Sequence, residues 1–410
     1  MMKRFFAGIT FLFAFHSGFS QTVKTDVVVV GSQASAVAAG IQAARSGVKT
    51  LLISESATLS PELTSADLQA LEKVRDHFAV KKLKNKVQKD SLFNQAINPE
   101  QSAVLIKSIT DTVKNLTLML NAGVEKISKD GKGWELRLKN GRTVKTNVVI
   151  DANEGKLQAL LKPAPKTQSD NQSEITGDPY ASKLFRTSVA GITYGESSGQ
   201  SSDILPLKSL LPPEVDNFLI TPTSSHQNAM AVGQAAGASA AFCAFFKKTT
   251  QELNVRVIQG ELLGFDAWLV PFADISFNDR HALAIQRIGL TGLLKAKIQG
   301  NVMNFDTLAT ISSEELRLPM KEFYSRSQIW FADHQRESLS VEDAINLIMF
   351  TATRGEELRR EVEKGWKISL GLNTNYDPKR PINRREFAVL LDTYLQPFNT
   401  RVSMNGFLMN

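Results

Sequence analysis

Residues 27–30 are four consecutive valines, an apolar run without alternation, as expected of a strand buried on both faces. Gly31 follows where the chain must turn sharply, and residues 34–46 carry mostly small side chains, so a helix there can lie close to a sheet. Residues 48–53 read as a second parallel strand, closed by the acid Glu55. Further on, residues 65–86 read as a helix, Asn98-Pro99-Glu100 as a helix start with Asn as cap and Pro at the first position, and residues 116–120 as a third parallel strand. Shorter runs at 124–128, 134–139 and 143–150 are separated by Asp130-Gly131 and Asn140-Gly141, which are hairpin signals. A β-meander is therefore inserted into the parallel sheet, and its last strand returns at 148–152. Residues 162–180, rich in Pro, Ser, Gln and Asp, read as a loop.

A strand at 217–220 precedes a helix that starts after the 221–225 loop. In that helix Gly233, Ala236, Gly237, Ala240 and Ala244 recur at three- and four-residue spacing, leaving one face nearly bare backbone. Tight helix packing and a ligand lying across the helix start both call for such a face. From about residue 254 the pattern changes to helices joined by short loops. Asn304-Phe305-Asp306 followed by Ile311 to Leu316 recurs as Asn375-Tyr376-Asp377 followed by Ile382 to Phe387. Ser312 with Glu315, and Asn383 with Glu386, are placed as reciprocal caps of helix starts, so these residues read as structural. The expected division is residues 1–20 as a leader, 21–250 as an α/β domain whose 153–216 region is short, and 251–410 as a helical domain.

The unit spanning 26–55 has the layout of a dinucleotide-binding site. The pyrophosphate would rest on the start of the helix at Ala34, and Glu55, about twenty residues after the turn, is placed to accept from a ribose hydroxyl. The glycine fingerprint reads Gly31-Ser32-Gln33-Ala34-Ser35-Ala36, with Gln33 at the second glycine position and Ala36 at the third. An α/β unit with a tight turn and no ligand has the same pattern apart from the terminal acid.

Composition adds compartment. Lys3 and Arg4, an apolar run from Phe5 to Phe15, and the small residues Gly18 and Ser20 look like a secretory signal peptide, and the expected location is periplasmic or secreted. No second segment is expected to cross a membrane. The sole cysteine, Cys243, lies in an apolar helix and reads as a buried thiol; the histidines show no metal-ligand spacing. Loss of Lys3 and Arg4 lowers the formal charge from +7 to +5, a modest excess that does not point to nucleic acid, and the Lys-rich stretch at 73–89 reads as a solvated helix face.

With these motifs in hand, the chain resembles the FAD-dependent oxidoreductases of the fumarate-reductase-like flavoprotein superfamily, in particular their secreted Bacteroidota group. TDVVVVGSQASAVAAGIQAARSGVKTLLISE is similar to the N-terminal FAD motif, TVKTNVVIDANEGKL to the second FAD segment, and AMAVGQAAGASAAFCAF to the flavin-binding helix. The repeat near the C-terminus is similar to S-layer homology modules. The resemblance implies a Rossmann-like FAD/NAD(P)-binding domain followed by a mainly helical one, with non-covalent FAD. It implies that Gly31, Ser32, Gln33, Ala34, Ser35 and Ala36 hold the pyrophosphate, Glu55 the ribose and the Val124 backbone the adenine. Asp151 and Ala152 end the second FAD segment, and Gly233, Gln234 and Ala235 lie against the flavin.

The departures fall on the substrate side: Ser60-Pro61 stands where the family has a glycine pair, and the family segment that Phe185-Arg186-Thr187 resembles continues into a histidine cluster, whereas the corresponding residues just after Gly191 contain no histidine. Arg186, to hold a carboxylate or developing negative charge, and His226, as proton donor, are the candidate catalytic groups; each also has a structural alternative, an ion pair or a helix cap. Two functions follow. One is an exported flavoenzyme acting on a small organic substrate by hydride transfer. The other is a degenerate copy of the fold that binds a surface polymer or a protein partner.

Overall fold

The computed structural model describes residues 22–64, 67–68, 99–161, 179–194, 201–222 and 228–409. The expected leader, nearly all of the 65–86 helix and most of the 162–180 loop lie outside them. At the centre is a five-stranded sheet in the order β11-β8-β2-β3-β4, built from Phe218–Ile220, Val148–Asp151, Val27–Val30, Thr50–Ile53 and Leu116–Met119. All its pairings are parallel. One face, with Val27, Val29, Leu52 and Ile150, packs on helices α1 (Ala34–Arg45) and α3 (Ala229–Phe246). Helix α2 (Pro99–Thr110) begins at the proline that the sequence marks.

The other face, with Val28, Val30, Leu51 and Val149, meets the meander β5 (Val124–Asp130), β6 (Gly133–Leu138) and β7 (Thr143–Thr146). Gly131 and Gly141 take positive φ in its two hairpins. The meander lies between β4 and β8 in sequence, yet it does not join their sheet. With β1 (Thr22–Lys24) it forms a separate four-stranded sheet, ordered β1-β7-β6-β5, stacked on the parallel one. The reason is its alternating pattern: Trp134, Leu136 and Leu138 are buried with more exposed residues between them, so β6 has one apolar face, whereas β2, β3 and β8 are buried at every position.

After α3 come α4 (Val255–Gly264), α5 (Ala282–Thr291), the small β12–β13 pair (Lys297–Gln299, Val302–Asn304), and α6 to α10 at Ser313–Phe323, Ser327–Asp333, Val341–Ala352, Glu356–Gly365 and Arg384–Tyr394. Their buried side chains belong to the same apolar core as α1 and α3. Asn383 and Glu386 form the expected reciprocal cap. Ser312 accepts from the Glu315 amide as expected, but the Glu315 carboxylate turns away to pair with Arg384. Another reciprocal cap, Ser340 with Asp343, precedes α8. The three pre-cap segments ladder together: Leu339 N–H donates to Ile311 O (2.8 Å) and Ile382 N–H to Leu339 O (3.0 Å).

The expectation about membrane-crossing segments needs one correction. Among the described residues, Ala229–Phe246 is long and apolar enough to cross a membrane by length and composition, and 61% of it is buried in this fold. Its hydrophobicity serves the core. Cys243, on the same helix, is buried, and burial pushes its thiol up to about 12.

Candidate functional site

The C-terminal edge of the parallel sheet is where β2 turns into α1. Gly31 has a φ of +151°, and a side chain there would bring its Cβ within 2.1 Å of the Ala152 carbonyl oxygen. Ala152 in turn donates to Val30 O (2.9 Å), so the end of the neighbouring strand β8 lies tight against the turn and only glycine fits. Gln33, the N-cap residue, is exposed, and its side chain makes no bond to the helix. The first turn of α1 holds no acid and no side-chain cap. Asn254, Ser312, Ser340 and Asn383 do cap their helices. The open amides at Ala34, Ser35 and Ala36 are therefore suited to an anion.

Glu55 follows β3 on the same edge. Its carboxylate is exposed and pairs with Lys139 Nζ at 2.8 Å, and that bond holds it below the usual carboxylate range. A side chain at Gly123 would meet Glu55 Oε1 at 2.4 Å, so the Gly123 backbone lies against this acid. The structure thus brings Gly31 beside Ala152, and Glu55 beside Gly123, the residue before Val124. Sequence reasoning missed Lys139, which offers no local signal.

Other candidates are placed differently. The Asp151 carboxylate accepts from the Asn153 amide (3.0 Å) and the Gln158 amide (2.7 Å), is buried, and is pushed up by that burial. It shapes its own loop. The bare face of α3 is occupied by α1: an added Cβ would come within 2.0 Å of Ser35 O at Gly233 and 2.4 Å of Ala39 O at Gly237. Gln234 donates to Gln42 Oε1 (3.0 Å), and Ala235 is fully buried. Gly233, Gln234 and Ala235 therefore serve helix packing, and the small-residue face is no evidence for a flavin.

Arg186 is likewise a structural residue. It is 2% exposed, donates to Thr291 O (3.0 Å) and Gly406 O (3.5 Å), and pairs closely with Glu322. None of these partners lies on the edge that carries Gly31 and Glu55. Arg186 instead borders a cleft of about 520 Å³ between Tyr180, Lys183 and the α6 helix. His226 lies outside the described residues.

Residues 26–193 match the family described as FAD dependent oxidoreductase. That stretch is similar to the flavin-binding part of such oxidoreductases, and the cofactor implied by the match is FAD. The chain is also similar to three solved structures. p-Nitrophenol 4-monooxygenase from Pseudomonas putida DLL-E4 is 13% identical over 34% of this chain and 42% of that one, with a TM-score of 0.25. Anhydrotetracycline hydroxylase from Streptomyces rimosus is 14% identical over 33% and 34%, with a TM-score of 0.25. Thioredoxin reductase from T. acidophilum is 21% identical over 32% and 35%, with a TM-score of 0.21. In each case the likeness covers less than half of either chain. No curated protein matches the sequence.

The residues at this edge fit the pyrophosphate and ribose half of FAD, since α1 offers uncapped amides and Glu55 an exposed acceptor at the end of the neighbouring strand. Residues 223–227, which lead into α3, fall outside the described residues.

Proposed function

We propose that the protein is an exported FAD-dependent oxidoreductase of the fumarate-reductase-like group that acts on a small organic substrate. The observation that carries this reading is the uncapped first turn of α1, set directly after Gly31 and on the same sheet edge as Glu55. When bound, FAD supplies hydride transfer, which side chains cannot perform. The amides of Ala34, Ser35 and Ala36 hold the pyrophosphate without a competing side chain. Glu55 accepts from the adenosine ribose and exchanges its contact with Lys139 for those hydroxyls, at little cost because a surface ion pair contributes little.

The test is direct. Protein from flavin-replete cells is expected to be yellow, to release FAD on denaturation, and to bleach on anaerobic reduction. Glu55→Ala is expected to weaken FAD binding about tenfold, since hydrogen bonds to a charged acceptor contribute on the order of 1.5–3 kcal/mol in sheltered sites and less in exposed ones. Fluorescence titration of apoprotein measures it. Wild-type affinity in the variant removes Glu55 from the site, and colourless protein that cannot be reconstituted removes the whole reading.

A second reading is favoured by one specific observation. Arg186, the only candidate catalytic group among the described residues, is spent on Glu322 and on main-chain carbonyls. A flavin fold without substrate-side chemistry, working through its C-terminal helices as a polymer- or protein-binding module, agrees with that. Turnover of bound FAD with an added electron acceptor separates the two.

A further inference from the structure

The cleft that Arg186 borders has a volume of about 520 Å³, in the range of small-molecule sites. It lies between the turn at residues 183–187, the segment 292–295 and helix α6. Its aromatic wall is held on several sides. Tyr180 and Phe185 are buried, with ring centroids 4.7 Å apart. Tyr180 Oη accepts from the Ala296 amide at 2.9 Å, and the Gly292 backbone packs so closely on Phe185 that a side chain there would collide with the ring. From α6, Leu318 adds an apolar side chain that is 62% exposed.

The charges around this wall are unequal in number and in commitment. Four cations line the cleft, Lys183, Arg186, Lys295 and Lys321, together with three carboxylates. Glu322 is shared by Lys183 and Arg186. Glu315 pairs with Arg384 and Glu314 with Arg317, and neither arginine is part of the lining. Lys295 and Lys321 are thus left without a carboxylate partner among the described residues. Lys295 Nζ stands 5.7 Å from the centre of the Tyr180 ring, a contact that leaves its charge intact. Two uncommitted ammonium groups beside buried aromatic rings and an exposed leucine suit a ligand with an anionic head and an apolar body. Every carboxylate of the lining is taken, so none is left to receive an ammonium group of an amino acid.

We propose that this cleft binds a small organic acid, its aromatic or acyl body lying against Tyr180 and Leu318 and its carboxylate received by Lys295 and Lys321. The cleft shares no lining residue with the edge that carries Gly31 and Glu55, so the inference does not rest on the FAD reading.

The experiment is a titration of the full chain by isothermal calorimetry with 2-naphthoate and octanoate, beside the neutral amides of both. At least one acid is expected to bind, and its amide to bind about tenfold more weakly, as two exposed ion pairs allow. Lys295→Gln combined with Lys321→Gln is expected to bring the acid to the affinity of the amide. Both side chains are exposed, so the fold is not at stake. Leu318→Asn is expected to weaken acid and amide alike. Lys107→Gln combined with Lys114→Gln removes the same charge from the region of α2 and is expected to change nothing. Equal binding of acid and amide overturns the proposal, as does a lysine double variant of the cleft that binds as tightly as wild type. So does a Lys107 and Lys114 variant that loses as much as the cleft variant, which would make the effect one of net charge. Wild-type protein that takes up neither acid at millimolar concentration overturns it outright.

Discussion

Gly233→Leu is expected to yield little or no folded protein. The Cβ alone would sit 2.0 Å from the Ser35 carbonyl oxygen and 2.7 Å from Ser35 Cα, and both atoms belong to the backbone of α1, which cannot swing aside as a side chain can. Overpacking typically costs about 1–3 kcal/mol when neighbouring side chains yield. Here a whole helix must move, and a domain has only about 5–15 kcal/mol of net stability. Even Gly233→Ala is expected to lower stability by about 3 kcal/mol. Thermal melts followed by circular dichroism measure both variants. A Gly233→Leu protein that melts like wild type but has lost its flavin would show that the face points to the cofactor and not to α1.

Arg384→Ala is expected to be the second large loss. Arg384 is 1% exposed; it donates from Nε to Phe305 O (2.7 Å), from Nη2 to Lys295 O, and pairs closely with Glu315. Removing it strands one buried and one partly buried carbonyl and a partly buried carboxylate, and breaking such a pair costs on the order of 3–5 kcal/mol. Arg384→Lys is expected to recover little, because an ammonium cannot span acceptors set for a planar fork. Urea titration should show a lower midpoint at unchanged slope. An unchanged midpoint would mean that the arginine is replaceable by water and that the α6–α10 contact stands on apolar packing alone.

Much of the α/β fold was legible because its signals are local. A run of four valines, a glycine, a small-residue helix and a closing acid lie within thirty or so residues, and each step constrains the next. The hairpins at Asp130-Gly131 and Asn140-Gly141 and the Asn383–Glu386 cap are equally local. What escaped depends on partners far along the chain. Periodicity shows that α3 has a bare face but not which surface covers it. An arginine at 186 looks like a catalytic group until Glu322, 136 positions on, is seen to take it. The spacing of Glu55 put it at the end of the second strand, where it stands, whereas its partner Lys139, 84 positions later, has no signature. Asp67, whose carboxylate accepts from the Met230 amide, did leave a trace, since Thr64-x-x-Asp67 is a capping pattern, but a stretch read only as the start of a helix hid that reach. The stacking of the meander was visible in its alternation and was misread as membership of the parallel sheet.

The unbroken core has a consequence for how the chain behaves as a material. The sequence pattern changes to helices joined by short loops from about residue 254, yet the apolar interior passes across that point from Val29 and Ala236 to Ile345 and Leu390 without a gap. Arg256 and Gln259, just beyond it, bond to Thr400 O and to the carbonyls of Arg186 and Ser188. The C-terminal helices are thus part of one cooperative body, and a disturbance at either end is felt as a loss of stability at the other.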